Sequence, residues 1–313
     1  MKTSSILFLA TIPLSGCIVF SDPPISVERT LALEANDDFE VVAVANQAAC
    51  AITSTGLIAC FGRDTGNEGV IDVPKGDFLT VSGSSGPQVL FCGVTITDRL
   101  LCWGRKRGGN NPANKAPNST KGWTQVTVGD QHACALDEDR RVDCWGDDSQ
   151  GQLDVPDYAF RKIEAVGDFT CGITDSYIAM CWGGGDDRPA FLDYIDGNSM
   201  REMTVGEDFA CSGSLQGTGA IIDCWVDEGN GYWDVPQIPS LLKLEAGNSH
   251  FCAINTLGEL FCHGANDHGQ LEPPTEDSEW IDISAGYEGT CGVTEDGDVH
   301  CWGIMPNPQR ADY

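Results

Sequence analysis

The sequence predicts an all-β chain folded as a seven-bladed β-propeller with one disulfide inside a hairpin of each blade. Three observations predict it. Fourteen of the fifteen cysteines form seven pairs, and six of the pairs enclose nine residues. The pairs are Cys50 with Cys60, Cys92 with Cys102, Cys134 with Cys144, Cys171 with Cys181, Cys211 with Cys224, Cys252 with Cys262, and Cys291 with Cys301. First cysteines recur at intervals of 42, 42, 37, 40, 41 and 39 residues, a period of repeat architectures. Every pair sits in the same succession of short apolar-alternating runs and turn residues. Four antiparallel strands per unit, seven times over, would not lie in one flat sheet, whereas radial packing of seven small sheets buries both faces and leaves short edges.

Each unit opens on an alternating run such as Trp123–Val128, Phe160–Ala165 or Trp280–Ala285, ended in most copies by a glycine (Gly129, Gly167, Gly206, Gly247, Gly286). That reads as a strand closed by a turn. Two further strands carry the cysteines. Aligning Cys291 with Cys301 and Val293 with Val299 leaves Glu295-Asp296-Gly297 as a three-residue loop, and Gly56 and Gly258 occupy the same left-handed place. Directly opposed strand residues lie within disulfide reach. Trp103, Trp145, Trp182, Trp225 and Trp302 follow the second cysteine and so face the other side of the strand, as inter-blade packing. A fourth strand is expected at Gly151-Gln152-Leu153, Gly269-Gln270-Leu271, Gly231–Pro236 and Gly69–Pro74. The seventh unit stops before such a segment, and Thr30-Leu31-Ala32-Leu33 is expected to complete it and clasp the ring.

The amino terminus reads as an address. Lys2 precedes an apolar run from Ile6 to Pro13 that is too short for a permanent span, as in an export signal. Leu14-Ser15-Gly16-Cys17 then resembles the lipobox of bacterial lipoproteins, which implies cleavage before Cys17 and acylation of that cysteine, the odd thiol of the fifteen. The expected organisation is a signal peptide at 1–16, an acylated tether at 17–29 and the propeller at 30–313. The expected place is the bacterial cell envelope, on the outer rather than the inner membrane, since no Asp follows Cys17. Fifteen cysteines without a Cys-x-x-Cys also point to an oxidising compartment.

The string Gly129-Asp130-Gln131-His132-Ala133-Cys134, continuing through Trp145-Gly146 to Gly151-Gln152-Leu153, resembles the repeat of the regulator of chromosome condensation superfamily, and Gly247–Cys252 with Gly269–Leu271 matches it again. The resemblance implies the propeller fold. The family's namesake is a nuclear exchange factor that docks on chromatin; this chain differs from it in charge and compartment, so the exchange activity is not carried over.

With 47 acidic against 18 basic residues the formal net charge is −29, which excludes binding along a nucleic-acid backbone by charge neutralisation. His132 and His250 recur in register and read as structural hydrogen-bonding groups, beside His263, His268 and His300. No metal triad, nucleophile elbow or phosphate loop is legible, so no catalytic residue, metal or cofactor is assigned. The acid clusters Asp137-Glu138-Asp139, Asp147-Asp148, Asp186-Asp187 and Glu295-Asp296 read as solvated turns. Loops that differ between units are the expected recognition sites: the basic Arg105-Lys106-Arg107, the segment Gly184–Pro189, and the longer fifth hairpin around Gln216–Gly219. The resulting expectation is a monomeric, non-enzymatic, membrane-anchored propeller binding a protein or envelope polymer through loops on one face. The alternative is an enzyme acting on polysaccharide or peptidoglycan with loop carboxylates as acid and base. A deep pocket holding two carboxylates of shifted pKa would favour the enzyme.

Overall fold

The computed structural model describes residues 38–62, 73–104, 112, 115–216, 219–226, 232, 233, 235, 237–274 and 278–305. Seven separate antiparallel sheets follow one another along the chain, each a blade in which the inner strand pairs with a middle strand and that with an outer one. The inner strands are Phe39–Ala45, Phe78–Gly83, Trp123–Val128, Phe160–Val166, Glu202–Val205, Leu241–Ala246 and Trp280–Ala285.

The expected hairpin register holds in every blade, with each first cysteine directly opposite its second. The seven disulfides are the expected ones and all lie within a blade, with Cα atoms 4.0–4.1 Å apart. Cys50 bonds Cys60, Cys92 bonds Cys102, Cys134 bonds Cys144 and Cys171 bonds Cys181. Cys211 bonds Cys224 across the longer hairpin, Cys252 bonds Cys262 and Cys291 bonds Cys301. The middle-strand partners are fully buried, whereas Cys60, Cys102, Cys144 and Cys262 on the outer strands keep some exposure; Cys224 is buried because blade 5 has a further strand beside it. Gly56, Gly258 and Gly297 have φ of 87°, 76° and 80°, the left-handed conformation that a three-residue loop demands; Asp98, Arg140 and Tyr177 adopt it in blades 2, 3 and 4.

Seven apolar clusters hold the ring, and each joins the cysteine face of one blade to the tryptophan face of the next. Cys134 and Leu136 of blade 3 pack on Phe160, Ile163 and Trp182 of blade 4. Cys291, Val293, Val299 and Cys301 of blade 7 pack on Val42, Val44, Ala49 and Ala51 of blade 1, which closes the circle. Closure therefore runs through the inner strand of blade 1. The clasp expected from Thr30–Leu33 lies outside the described residues.

The expected fourth strand is corrected at Gly151–Leu153 and Gly269–Leu271; the one expected at Gly69–Pro74 lies largely outside the described residues. Blade 5 alone shows one among the described residues, the two-residue strand Tyr232–Trp233. Gly151–Leu153 and Gly269–Leu271 are turns, begun by glycines with φ of 75° and 79°. Their glutamines are fully buried plugs, 0% and 2% exposed. The side-chain carbonyls of Gln152 and Gln270 accept from the backbone N–H of Gln150 and His268, both at 2.8 Å. Their main-chain carbonyls accept the indole N–H of Trp182 at 3.1 Å and Trp302 at 2.6 Å, from the next blade. A backbone held this way has no free edge to pair.

Candidate functional site

The two ends of the ring and the channel between them are where a partner or substrate can be met. Cys50, Cys60, Cys92, Cys102, Cys134, Cys144, Cys171, Cys181, Cys211, Cys224, Cys252, Cys262, Cys291 and Cys301 are all spent on disulfides, so they brace the blades and offer no thiol to a site. Inner strands are sheet edges, so the backbone groups along them need partners. Side chains of the preceding blade supply them where blade 3 meets 4, blade 4 meets 5 and blade 7 meets 1, from two tiers that run through all seven inner strands. One tier, opposite the cysteines of the middle strands, is Ala43, Ser82, Thr127, Glu164, Thr204, Glu245 and Ser284. The other, two residues earlier, is Val41, Thr80, Gln125, Lys162, Glu202, Lys243 and Asp282.

Gln125 pairs with Ile163 as a strand would, accepting from its N–H at 3.0 Å and donating to its carbonyl at 2.7 Å. The Thr127 hydroxyl accepts from Ala165 N–H at 2.8 Å. Asp282 and Ser284 do the same for Val42 and Val44 at 2.8 and 3.0 Å, so blade 7 is tied to blade 1 as blade 3 is to blade 4. Glu164 accepts from the Thr204 hydroxyl at 2.6 Å and Val205 N–H at 3.2 Å, and Lys162 donates to the Met203 carbonyl at 3.0 Å.

Charge in the channel is confined to blades 4–7, around a cavity of about 170 Å³. Burial pushes the Glu164 carboxyl up to about 7, against the pull of Lys162 and helped by the like charge of Glu245. Its Oε2 is buried without a hydrogen-bond partner. Burial also raises Asp282, even though the Lys243 ammonium contacts it. Burial alone would lower both lysines, but Glu164, Glu245 and Glu202 around Lys162, and Asp282 and Glu245 around Lys243, outweigh it and hold both above the ordinary value. Of the two shifted carboxylates Glu164 lines the cavity and Asp282 does not; each accepts from the next blade's backbone and faces a lysine. Through these bonds to Val205, Thr204 and Val42 the carboxylates join blade 4 to 5 and blade 7 to 1.

His132 and His250, both fully buried, send Nε2 to the hydroxyls of Thr170 and Thr290 in the following blade, at 2.7 and 2.8 Å. Burial lowers both imidazoles to about 4, only slightly opposed by Asp147 at His132. Their structural role is as expected. Trp233 packs against His263, where the other units carry Phe or Trp, with ring centroids 5.2 Å apart.

At the loop end, where inner strands turn into middle strands and outer strands exit, turns of neighbouring blades touch. Asp130 N–H donates to Gly167 O at 2.8 Å and Asn248 N–H to Gly286 O at 3.2 Å. A Cβ on Gly247 would lie 2.1 Å from the Gly286 carbonyl oxygen, which explains the glycine closing that inner strand. Asp168, Glu207, Asp208, Asp267 and Glu288 lie here, and Glu207 is raised by burial and by the like charges of Asp208 and Asp168. Asp147 and Asp148 cap their own turn at Ser149 and Leu153.

The segment Gly184–Pro189, expected as a recognition loop, is a wedge. It leads into the short helix Phe191–Ile195, whose Phe191, Leu192 and Ile195 are fully buried between blades 4 and 5. Arg188 anchors it to the Cys181 carbonyl at 3.2 Å and to Asp196 at 3.3 Å. Gln216 and Gly219 pair at the tip of their hairpin. Cys17, Arg105, Lys106 and Arg107 lie outside the described residues.

At the hairpin end, sequence reasoning missed a repeated device. Six inner strands carry a register shift near their start, which leaves Glu40, Leu79, Thr124, Arg161, Leu242 and Ile281 unpaired and exposed; Arg201 holds the same place in blade 5. These seven side chains ring the channel mouth. Arg161 and Arg201 both lie against the Tyr177 ring, 4.5 and 5.1 Å from its centroid. Of the eleven lysines and arginines among the described residues, nine lie at this end or in the channel; Lys115 and Arg188 are the exceptions.

Three stretches, residues 123–152, 242–270 and 280–307, match the family model described as the Regulator of chromosome condensation (RCC1) repeat. They correspond to blades 3, 6 and 7, so three of the seven blades are similar to this repeat. The Ultraviolet-B receptor UVR8 of Arabidopsis thaliana is 28% identical over 189 residues, covering 49% of this chain and 43% of the receptor. The chain spans less than half the length of the curated relatives it matches first. Among solved structures, the CRINKLY ectodomain of the Arabidopsis thaliana receptor kinase ACR4 superposes with a TM-score of 0.66 at 22% identity, covering 85% of this chain and 96% of that one. Prp20p of Saccharomyces cerevisiae, described with its binding to Gsp1p and histones, gives 0.60 at 13% identity, covering 82% and 83%. At these identities the solved structures support the fold alone.

Proposed function

We propose that this chain, whose repeats are of the regulator of chromosome condensation type, is a non-enzymatic binding propeller that holds a protein partner at one end of its ring and is kept at the cell envelope by an acylated Cys17. The observation that carries the binding reading is where the polar chemistry goes. Buried histidines, glutamine plugs and channel carboxylates all serve the neighbouring blade, so the ring is a rigid frame and its ends are left to meet partners. A relative described as a receptor and a structural neighbour described as binding Gsp1p and histones are in keeping with a protein-binding role. The envelope address rests on Leu14-Ser15-Gly16-Cys17 and on the disulfides, which need an oxidising compartment.

The test is crosslinking in intact cells followed by mass spectrometry. One dominant partner protein, linked through residues at a single end of the ring, is the expected result; crosslinks spread over both ends and many proteins at background level would overturn it. Cys17→Ser should release the chain from the membrane fraction. Retention of that variant would remove the anchor from the reading without touching the binding role.

A further inference from the structure

Eight large apolar side chains stand exposed among the described residues, and six of them, Leu57, Leu79, Ile96, Leu242, Leu257 and Ile281, lie at the hairpin end. Three of them, Leu79, Leu242 and Ile281, occupy the bulge positions around the channel mouth and are 58%, 56% and 39% exposed. A bulge re-aims a side chain and is kept where that aim has a use. Repeated at the same place in six blades, it directs one side chain per blade into solvent around a common axis.

Charge at the mouth is as distinctive as its apolarity. In a chain with 47 acids and 18 bases, an arginine beside a carboxylate is the expected state. Arg140 follows it, paired with Asp175, and so does Lys121 with Asp143. Arg161 and Arg201 do not: both are exposed, both rest on Tyr177, and neither makes an ion pair among the described residues. Tyr177 holds its place with a left-handed φ of 63°, fixed by its N–H to Thr174 O at 2.8 Å and by Met200 N–H donating to its carbonyl at 2.7 Å. Two guanidinium groups are thereby presented close together, preorganised by one aromatic ring and lacking an anion.

Going round the ring, the two arginines of blades 4 and 5 are followed by Leu242 and Ile281 of blades 6 and 7, with Leu257 at the adjoining hairpin tip. We propose that this arc docks a polypeptide segment of a partner in which carboxylates lie beside aliphatic side chains: the acids take Arg161 and Arg201, and the aliphatics cover Leu242, Leu257 and Ile281. The proposal rests on the protein-binding reading and names its face and its partner chemistry. Charge complementarity argues for an acidic segment, since a basic one would leave the two guanidinium groups unpaired and repelled. The adjacent aliphatics argue for a polypeptide over a purely polyanionic ligand.

The test is selection of a phage-displayed random peptide library on the full chain, with three variants assayed against the selected peptides: R161E/R201E, L242D/I281D, and D208K/D267K at the loop end. All six positions are exposed, and unchanged near-ultraviolet circular dichroism verifies each fold. The expected result is enrichment of peptides with Asp or Glu next to Leu, Ile or Phe, bound about tenfold or more weakly by each hairpin-end variant and within about twofold of the parent by D208K/D267K. Selected peptides lost only with D208K/D267K, or selected peptides without acids, would overturn the proposal while leaving a protein-binding propeller. No enriched peptide would overturn both. Sedimentation with phosphatidylglycerol vesicles, abolished by R161E/R201E while no peptide is selected, would replace the polypeptide with an anionic membrane surface.

Discussion

The loop end and the hairpin end of the ring are made from the same repeat and spend their side chains in opposite ways. At the loop end Gln152, Gln270, His132 and His250 point inward and are consumed by the next blade, and the solvent side is left to carboxylates, among them Glu207, raised by burial and by the like charges of Asp208 and Asp168. At the hairpin end the bulges turn residues outward, and the exposed aliphatics and unpaired arginines collect there. The difference teaches that one end of each blade fastens the ring while the other is free to vary. Variation in loop length is by itself a poor guide to recognition here: Gly184–Pro189, expected as a recognition loop, is a wedge.

That comparison can be broken most directly by stability. Trp302→Ala removes a buried indole and its hydrogen bond to Gln270, and should cost about 3–5 kcal/mol in urea unfolding, whereas Leu242→Ala at the mouth should cost under about 0.5 kcal/mol. Equal costs would erase the distinction between the ends. Next in size is Cys134→Ala with Cys144→Ala, expected to lower stability by roughly 2–3 kcal/mol, because the bond closes a short loop of one hairpin and constrains the unfolded chain. A loss far beyond that would mean that the disulfide also holds neighbouring blades.

Acid sharpens the comparison further. His132 and His250 have folded pKa values near 4 against an ordinary 6.5, so the unfolded chain binds protons first. Stability should be full above pH 6.5 and fall as pH drops toward 4, by up to about 3 kcal/mol for each histidine. His132→Gln with His250→Gln should flatten that part of the thermal-midpoint curve; an unchanged slope would show that the acid sensitivity lies elsewhere. Glu164 acts with the opposite sign. Its folded value is raised to about 7, so its contribution is present below the ordinary carboxylate range and is lost as pH rises through 7. Glu164→Gln keeps an acceptor for Thr204 and Val205 and should have a smaller effect, a rise in thermal midpoint that grows from pH 4.5 to about 7 and is level above it. A fall there would mean that the ionised carboxylate is what joins blades 4 and 5.

Much of this architecture was legible because cysteine spacing reports register. Nine intervening residues fix a hairpin, and a period near forty fixes how many hairpins there are. The histidines were legible as structural for the same reason, since His132 and His250 share a repeat position. The fourth strand was misread because a Gly-Gln-Leu run has the composition of a short edge strand, and only the indole bond onto its backbone shows that it is a turn. The mouth was illegible because a bulge is a property of two strands: Arg161 and Ile281 look like the polar and apolar phases of ordinary alternation until Phe160 pairs with Thr174 and Lys162 with Ile173. Lys162 and Glu164, Lys243 and Glu245, and Asp282 come from three different blades and meet only when the circle closes.

Every sulfur pair is confined to its own hairpin, and none crosses from one blade to another. Formation of each bond therefore needs no residue of a neighbouring blade. The seam where blade 7 meets blade 1 is held by packing and hydrogen bonds, with no covalent link across it among the described residues.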